Sequence, residues 1–153
     1  MPFVLLVCLG NICRSPTAAG VLRHELARAG IADVRVDSAG TISHHEGDEA
    51  DRRSIRHARL RGIDLTAHRA RCVRAEDFTR FDHLWCMDED NLAALHARSP
   101  REHHGKLALF LGDAIVPDPY YGGPAGFDLV LDLCEAGARR AIERERWGAR
   151  RPG

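Results

Sequence analysis

The stretch VLLVCLGNICRSPTAAG, residues 4–20, decides the fold of this chain. The continuous apolar run over residues 3–7 predicts a buried β-strand. A short loop with one glycine, Gly10, follows. The next helix is predicted to begin with Ser15 as its N-cap and Pro16 at its first position, and to end at Gly30. A buried strand that passes through a tight loop into a helix is typical of an α/β fold.

The remainder of the chain repeats this alternation of strands and helices. Further strands are predicted over residues 34–36, 83–87 and 106–111. The DSAG segment at 37–40 is predicted to form a turn that ends the first of these strands. Further helices are predicted over residues 48–60, 88–97 with Asp88 as N-cap, and 127–146. The pattern predicts one α/β domain, residues 1–147, with a parallel sheet covered by helices on both faces. Residues 148–153 are predicted to be a frayed tail.

Composition and charge exclude several classes of protein. The 22 Lys and Arg residues balance 22 Asp and Glu residues, so no overall positive field favours nucleic acid or an anionic membrane as a partner. The five cysteines are odd in number and unevenly spaced, which does not fit a disulfide framework, and Cys8 and Cys13 lack zinc-site spacing. No signal peptide or membrane-spanning segment is readable. We therefore expect a cytoplasmic protein with free thiols and no metal, although export without a signal sequence would leave no trace in the chain.

The loop after the first strand has the features of an anion-binding site. Main-chain N–H groups and the positive end of the helix dipole can together hold a tetrahedral oxyanion. Gly10 allows the tight turn, and Arg14 adds a planar fork that can bind two oxygens. A thiol at the centre, that of Cys8, is favoured as the thiolate, and Ser15 can donate a hydrogen bond to it. The loop therefore predicts a nucleophile directed at the phosphorus of a bound phosphate. A chance pair of Cys8 and Arg14 would lack the buried strand before the loop, the glycine within it and the helix start after it.

The segment PDPYYGG, residues 117–123, offers the acid that phosphoryl transfer to sulfur requires. The leaving alkoxide or phenoxide must be protonated, and Asp118 is a carboxyl group held between two prolines. Tyr120 and Tyr121 place flat apolar surface beside it, which suits an aromatic leaving group. An ordinary turn is the alternative interpretation, since Asp-Pro and Gly-Gly are common turn dipeptides.

Together, VCLGNICRSP at residues 7–16 and DPYYG at residues 118–122 resemble the low-molecular-weight protein tyrosine phosphatases. The similarity continues through DSAGT (37–41), GIDLTAHRAR (62–71), EDFTRFDHLWCMDEDNL (76–92) and the final helix. It implies a four-stranded parallel sheet flanked by helices, with the phosphate-binding loop after the first strand. It also implies hydrolysis of phosphotyrosine in proteins or peptides through a phosphocysteine, with release of inorganic phosphate and no metal or organic cofactor.

The resemblance assigns roles to individual residues. Cys8 is implied as the nucleophile, Arg14 as the ligand of the phosphate oxygens, and Asp118 as the acid and then the base. The resemblance also implies that Cys13 can form a disulfide with Cys8 under oxidation, which protects the nucleophile from irreversible oxidation. The substrate-binding residues are implied to be Leu9, Gly10, Asn11, Ile12, Cys13, Ser15, Tyr120 and Tyr121. Residues implied to hold the loop in shape are Asn11, Ser15, Ser38 and His68.

One departure from the family concerns the segment after SAGT. Bacterial members often carry a tryptophan beside the site there, whereas this chain has His44 and His45. We expect looser selectivity for aryl phosphates, unless the segment points away from the site and the change is neutral.

Two other functions compete with the phosphatase interpretation. An arsenate reductase on the same fold would need shuttle thiols such as Cys72 and Cys86, but Cys86 lies in an apolar strand and is a poor shuttle. A silent phosphate-binding module would require the loss of the nucleophile, the arginine or the acid, and the chain has all of them.

Overall fold

Strands and helices alternate along residues 1–148, the part of the chain that the computed structural model describes. The strands are β1 (Phe3–Cys8), β2 (Arg35–Gly40), β3 (His83–Cys86) and β4 (Leu107–Leu109). The helices are α1 (Arg14–Arg28), α2 (Arg52–Arg59), α3 (Asp77–Arg80), α4 (Glu89–Arg98) and α5 (Pro124–Arg144), and a 3₁₀ helix spans Arg101–Lys106. Residues 149–153, most of the predicted frayed tail, lie outside the described residues.

The four strands form one parallel sheet, as predicted, and their order in the sheet is β2-β1-β3-β4. Side chains alternate along β1, so Val4 and Leu6 enter the core formed with α1 and α5. Leu5 and Val7 enter the core on the opposite face, beneath α3 and α4. All four are fully buried, which explains the continuous apolar run. The central strand therefore delivers Cys8 to the carboxyl edge of the sheet, where ligands of open α/β sheets bind.

The DSAG segment is part of β2, and the prediction that it forms a turn is wrong. Ser38, Ala39 and Gly40 pair with the last three residues of β1. Pairing with a central strand satisfies their main-chain groups and overrides the local preference for a turn. The pairing also places Ser38 and Gly40 beside the end of β1.

Among the remaining elements, α2, β4 and α5 depart furthest from the predicted limits. The α2 helix begins at Arg52, because the Asp51 carboxylate accepts a first-turn N–H (2.8 Å) and the main-chain oxygen of Asp48 bonds Ala70 N (2.8 Å) instead of a helical partner. The β4 strand is shorter at both ends, because the 3₁₀ helix includes Lys106 and a turn begins at Phe110, and α5 begins earlier, at Pro124. The four-residue α3 has no predicted counterpart, since so short a helix gives no periodic signal.

The predicted N-caps had opposite outcomes. Ser15 does not cap α1, which begins at Arg14 with Cys13 at the N-cap position and no side-chain cap. The Ser15 hydroxyl instead forms hydrogen bonds with the Cys8 sulfur and with the side-chain amide of Asn11. Asp88 does cap α4, since its carboxylate accepts Asn91 N (2.8 Å) while the Asn91 side chain accepts Asp88 N (3.3 Å).

Gly40 supports a testable prediction about how β2 packs against the loop. A Cβ on Gly40 would lie 2.7 Å from the main-chain oxygen of Leu9 and 3.1 Å from the carbonyl carbon of Gly10. Gly40→Ala should therefore lower the free energy of unfolding by about 1–3 kcal/mol, measured by urea denaturation. Gly105→Ala is the control, because a Cβ there meets nothing within 4 Å. Equal unfolding midpoints for the two variants would contradict the close approach.

Candidate active site

The loop after β1 encloses the sulfur of Cys8. The Cys8 side chain is buried, and its Sγ accepts the main-chain N–H of Asn11 at 3.3 Å. The Ser15 Oγ lies 2.9 Å from the same sulfur. Because Asn11 Nδ2 donates to this Oγ (2.8 Å), the Ser15 hydroxyl hydrogen is free to point at the sulfur. Two hydrogen-bond donors thus converge on the Cys8 sulfur.

Asn11 has a left-handed backbone, with φ of 59°, and a network of hydrogen bonds holds it there. Its Nδ2 also donates to Ser38 Oγ (3.0 Å), and its Oδ1 accepts Arg71 N (2.9 Å). Its main-chain oxygen accepts His68 Nε2 (2.7 Å). Burial lowers the pKa of His68, so the neutral ring carries its proton on this nitrogen. The structure brings together the four residues expected to shape the loop, and it adds Arg71.

Arg14 is almost entirely buried, and two groups outside the loop orient its guanidinium. Nη1 donates to Asp88 Oδ2 (2.6 Å) and to the main-chain oxygen of Val116 (3.0 Å). Nη2 lies 3.9 Å from Asp118 Oδ2. Sequence reasoning assigned Asp88 only to a helix cap. Its position two residues past the end of β3, the strand beside β1, was the signal that could have placed it at this edge of the sheet.

Asp118 approaches Arg14 from the loop between β4 and α5. Its carboxylate is about half exposed, and its Oδ1 accepts the main-chain N–H of Tyr120 at 3.1 Å. Tyr120 and Tyr121 meet edge to face with ring centroids 4.9 Å apart. Tyr120 is partly exposed and Tyr121 almost fully exposed. The Asp118 carboxylate and the two aromatic rings therefore lie together on one side of the cleft.

A cleft of about 290 Å³ opens above the sulfur. Its lining comprises Cys8, Leu9, Gly10, Ile12, Cys13, Arg14, Ile42, His44, His45, Asp118, Tyr120 and Tyr121. Two residues expected to bind substrate, Asn11 and Ser15, are fully buried and do not line the cleft. Ile42 was missed by sequence reasoning, although it is an exposed apolar residue two positions past the end of β2.

His44 and His45, in the segment that differs from the family pattern, face the cleft. His45 Nδ1 lies 3.2 Å from Asp48 Oδ2, and the rings of His44 and His45 meet edge to face at 4.8 Å. A Cβ on Gly10 would lie 3.1 Å from His45 Cδ2, so the glycine leaves room for this ring against the loop. The segment therefore does not point away from the site.

Cys13 lies in the same cleft as Cys8, but its surroundings are different. Burial and then the nearby negative charge of Asp51 raise the pKa of Cys13 to about 12. At neutral pH Cys13 is therefore a protonated thiol. All five cysteines are free in the structure.

Metal and membrane features are absent from the part of the chain that is described. Within residues 1–148, no three His, Cys, Asp or Glu side chains cluster in a way that could hold a metal ion. None of the helices in that range is both long and apolar enough to cross a bilayer.

Comparison with known proteins identifies the family. The family model of the low molecular weight phosphotyrosine protein phosphatases matches residues 3–146. Low molecular weight phosphotyrosine protein phosphatase 1 of Drosophila melanogaster is 41% identical over 139 residues, covering 86% of this chain and 88% of the relative. The enzyme of the same family from Schizosaccharomyces pombe is 42% identical over 142 residues, covering 86% and 90%.

A solved structure supports the same identification. The crystal structure of a protein tyrosine phosphatase from Entamoeba histolytica superposes with a TM-score of 0.92 at 36% sequence identity, covering 97% of this chain and 99% of that one. The sequence matches and this structural match each span nearly the whole described chain. The chain therefore belongs to the low molecular weight phosphotyrosine protein phosphatase family.

Proposed function

We propose that the protein hydrolyses phosphotyrosine and related aryl phosphate monoesters in two displacement steps at the cleft above Cys8. The observation that carries this proposal is the convergence of a thiol, a buried guanidinium and a carboxyl group at the carboxyl edge of the sheet. Cys8 comes from the end of β1, Arg14 from the start of α1 and Asp118 from the loop before α5. Membership of the phosphatase family gives the reaction class.

In the first step the Cys8 thiolate attacks phosphorus and an S–P bond forms. The bond from phosphorus to the phenolic oxygen breaks, and Asp118 gives its proton to that oxygen, so a neutral phenol leaves. The N–H groups of the loop and the Arg14 guanidinium bind the remaining phosphoryl oxygens. Since Asp88 and Val116 occupy Nη1, the rest of the Arg14 fork is available to the phosphoryl group.

In the second step Asp118, now a carboxylate, takes a proton from water as the water attacks phosphorus. The S–P bond breaks, inorganic phosphate forms and Cys8 returns as the thiolate. The Ser15 hydroxyl, 2.9 Å from Sγ, stabilises the leaving sulfur in this step. Protons and charges balance with water as the only co-reactant.

The walls of the cleft favour an aromatic substrate. Leu9, Ile12, Ile42 and Tyr120 give apolar surface around the phosphate-binding loop, enough for a phenyl ring to pack. The substrates expected to fit these walls are phosphotyrosine-containing proteins or peptides. We also place the protein in the cytoplasm, because its five thiols are unpaired and a nucleophilic cysteine must stay reduced.

Arsenate reduction is not favoured as an alternative. The relatives compared above are named as tyrosine phosphatases, and the thiols offered as shuttles are poorly placed. Cys86 is fully buried, and burial raises its pKa to about 12. Cys72 pairs with Gly40, which in turn pairs with Cys8. Two strand spacings, about 9.5 Å, therefore separate the Cα atoms of Cys8 and Cys72. This distance is too long for a disulfide without backbone movement.

The mechanism predicts distinct losses for two substitutions. Cys8→Ser should abolish hydrolysis of phenyl phosphate, and Asp118→Ala should lower kcat/KM by about 10²–10⁴-fold, because the phenoxide then leaves unprotonated. Asp113→Ala, which removes an exposed carboxylate from the same connecting loop, is the control and should match the parent enzyme. Unchanged activity in either of the first two variants, measured by phosphate release, would contradict the assigned roles.

Oxidation provides a separate prediction for Cys13. Peroxide should convert Cys8 to a sulfenic acid, which the Cys13 thiol then attacks to give a disulfide and water. Activity of the parent enzyme should return with dithiothreitol, whereas Cys13→Ser should recover only a small part, because its Cys8 continues to sulfinic acid. Cys72→Ser is the control and should recover fully. Equal recovery of all three proteins would leave Cys13 with a packing role only.

His44 supports a prediction about selectivity. His44→Trp should raise kcat/KM for naphthyl phosphate relative to a simple alkyl phosphate by about two- to tenfold, since a larger ring at the cleft wall adds aromatic packing. His96→Trp, on the exposed face of α4 and outside the cleft, serves as the control. If the ratio of specificity constants is the same in both variants, the histidine segment does not set substrate preference.

A further inference from the structure

Arg53, at the start of α2, contacts both loops of the active site. Its Nε and Nη2 donate to the two carboxylate oxygens of Asp51 at 3.0 and 2.9 Å. Asp51 in turn donates its main-chain N–H to the Ile12 oxygen in the phosphate-binding loop (2.8 Å). On its other side, the Arg53 guanidinium carbon lies 5.3 Å from the ring centroid of Tyr120 and 4.6 Å from that of Phe127.

The Asp51 end of this bridge is firmly anchored. The Asp51 side chain is largely buried, and it also caps α2. Burial raises the pKa of Asp51, but the hydrogen bonds from Arg53 outweigh burial and leave the pKa below its ordinary value. The carboxylate is therefore ionised at neutral pH and binds the guanidinium as a bidentate pair, which fixes the plane of the fork.

The Tyr120 end of the bridge lies in a segment with few other restraints. Most residues from 112 to 123 are exposed, Asp118 included. Tyr120 donates its main-chain N–H to Asp118 Oδ1, so a shift of this residue moves the carboxyl group. Within residues 1–148, Arg53 is the only cationic side chain that stacks on the Tyr120 ring.

We propose that Arg53 is a positioning residue, which sets the place of the Asp118 carboxyl group relative to the Cys8 sulfur. It does so through one rigid unit, in which Asp51 holds the guanidinium and the guanidinium holds Tyr120 against the start of α5. The inference rests on the proposed function of Asp118 as the acid. Proton transfer needs hydrogen-bond reach, so a displacement of about 1 Å costs much of the catalytic effect.

Leaving groups of different acidity distinguish this role from a general structural one. The phenol of phenyl phosphate resembles a tyrosine side chain, with a pKa of about 10, and must be protonated as it leaves. The phenol of 2,4-dinitrophenyl phosphate is far more acidic and leaves without a proton. A misplaced Asp118 slows only the first substrate, whereas damage to the phosphate-binding loop slows both.

The experiment compares kcat/KM of Arg53→Met, Arg53→Lys and Arg56→Met with both substrates, since kcat/KM reports the step that releases the phenol. Arg53→Met should lose about tenfold with phenyl phosphate and less than about twofold with the dinitrophenyl ester. Arg53→Lys, which keeps the cation but not the bidentate fork, should lie between Met and the parent. Arg56→Met removes an exposed arginine one turn along the same helix and should match the parent with both substrates.

Asp118→Ala in the same assay separates the inference from the proposed function. If Asp118→Ala selectively slows phenyl phosphate and Arg53→Met does not, Arg53 has no positioning role while the acid assignment stands. If Arg53→Met slows both substrates equally, its effect is on the whole fold or on the loop, and the inference is again overturned. If Asp118→Ala itself is unselective, the acid assignment fails, and the inference fails with it.

Discussion

The left-handed backbone of Asn11 is the constraint on which the site depends. A non-glycine residue with φ of 59° destabilises the folded state by about 1–2 kcal/mol. Other interactions must offset this destabilisation for the loop to close around the Cys8 sulfur. Hydrogen bonds with three residues in two other parts of the chain stabilise this backbone: Ser38 in β2, and His68 and Arg71 in the segment after α2. At about 1 kcal/mol each, these bonds outweigh the backbone cost. The loop is therefore shaped by tertiary contacts.

The second constraint is the buried charge of Arg14. Burying an unpaired guanidinium costs several kcal/mol, so the fold must supply partners. Asp88 and the Val116 oxygen do so, but both bind through Nη1, and Asp118 lies 3.9 Å from Nη2. The guanidinium is thus oriented from one side and open on the other. A phosphoryl group that enters the cleft meets a fork already turned toward it, so little free energy is spent on reorienting the side chain.

The sequence predicted the features that depend on local pattern and missed those that depend on pairing. The apolar run of β1, the loop around Cys8 and the capping by Asp88 each have a local signal, and each is present. The DSAG segment has a local turn signal, but its pairing with β1 overrides it. Ser15 has a local cap signal but does not cap α1, and its hydroxyl lies beside the Cys8 sulfur, a contact that the sequence also allowed. The contact of Arg53 with Tyr120 joins residues far apart in the chain, and no local pattern encodes it.

The two thiols of the loop illustrate how far one short segment can separate the chemistry of identical groups. Cys8 ends a strand, with its sulfur facing the donors of Asn11 and Ser15, so negative charge on it is stabilised. Cys13 precedes α1, yet burial and the charge of Asp51 raise its pKa to about 12, which outweighs any benefit from the helix dipole. Cys13 therefore stays a protonated thiol at neutral pH, and a protonated thiol reacts with oxidants more slowly than a thiolate does. In the oxidation proposed above, Cys13 therefore acts on the sulfenic acid formed at Cys8 and does not react first with the oxidant.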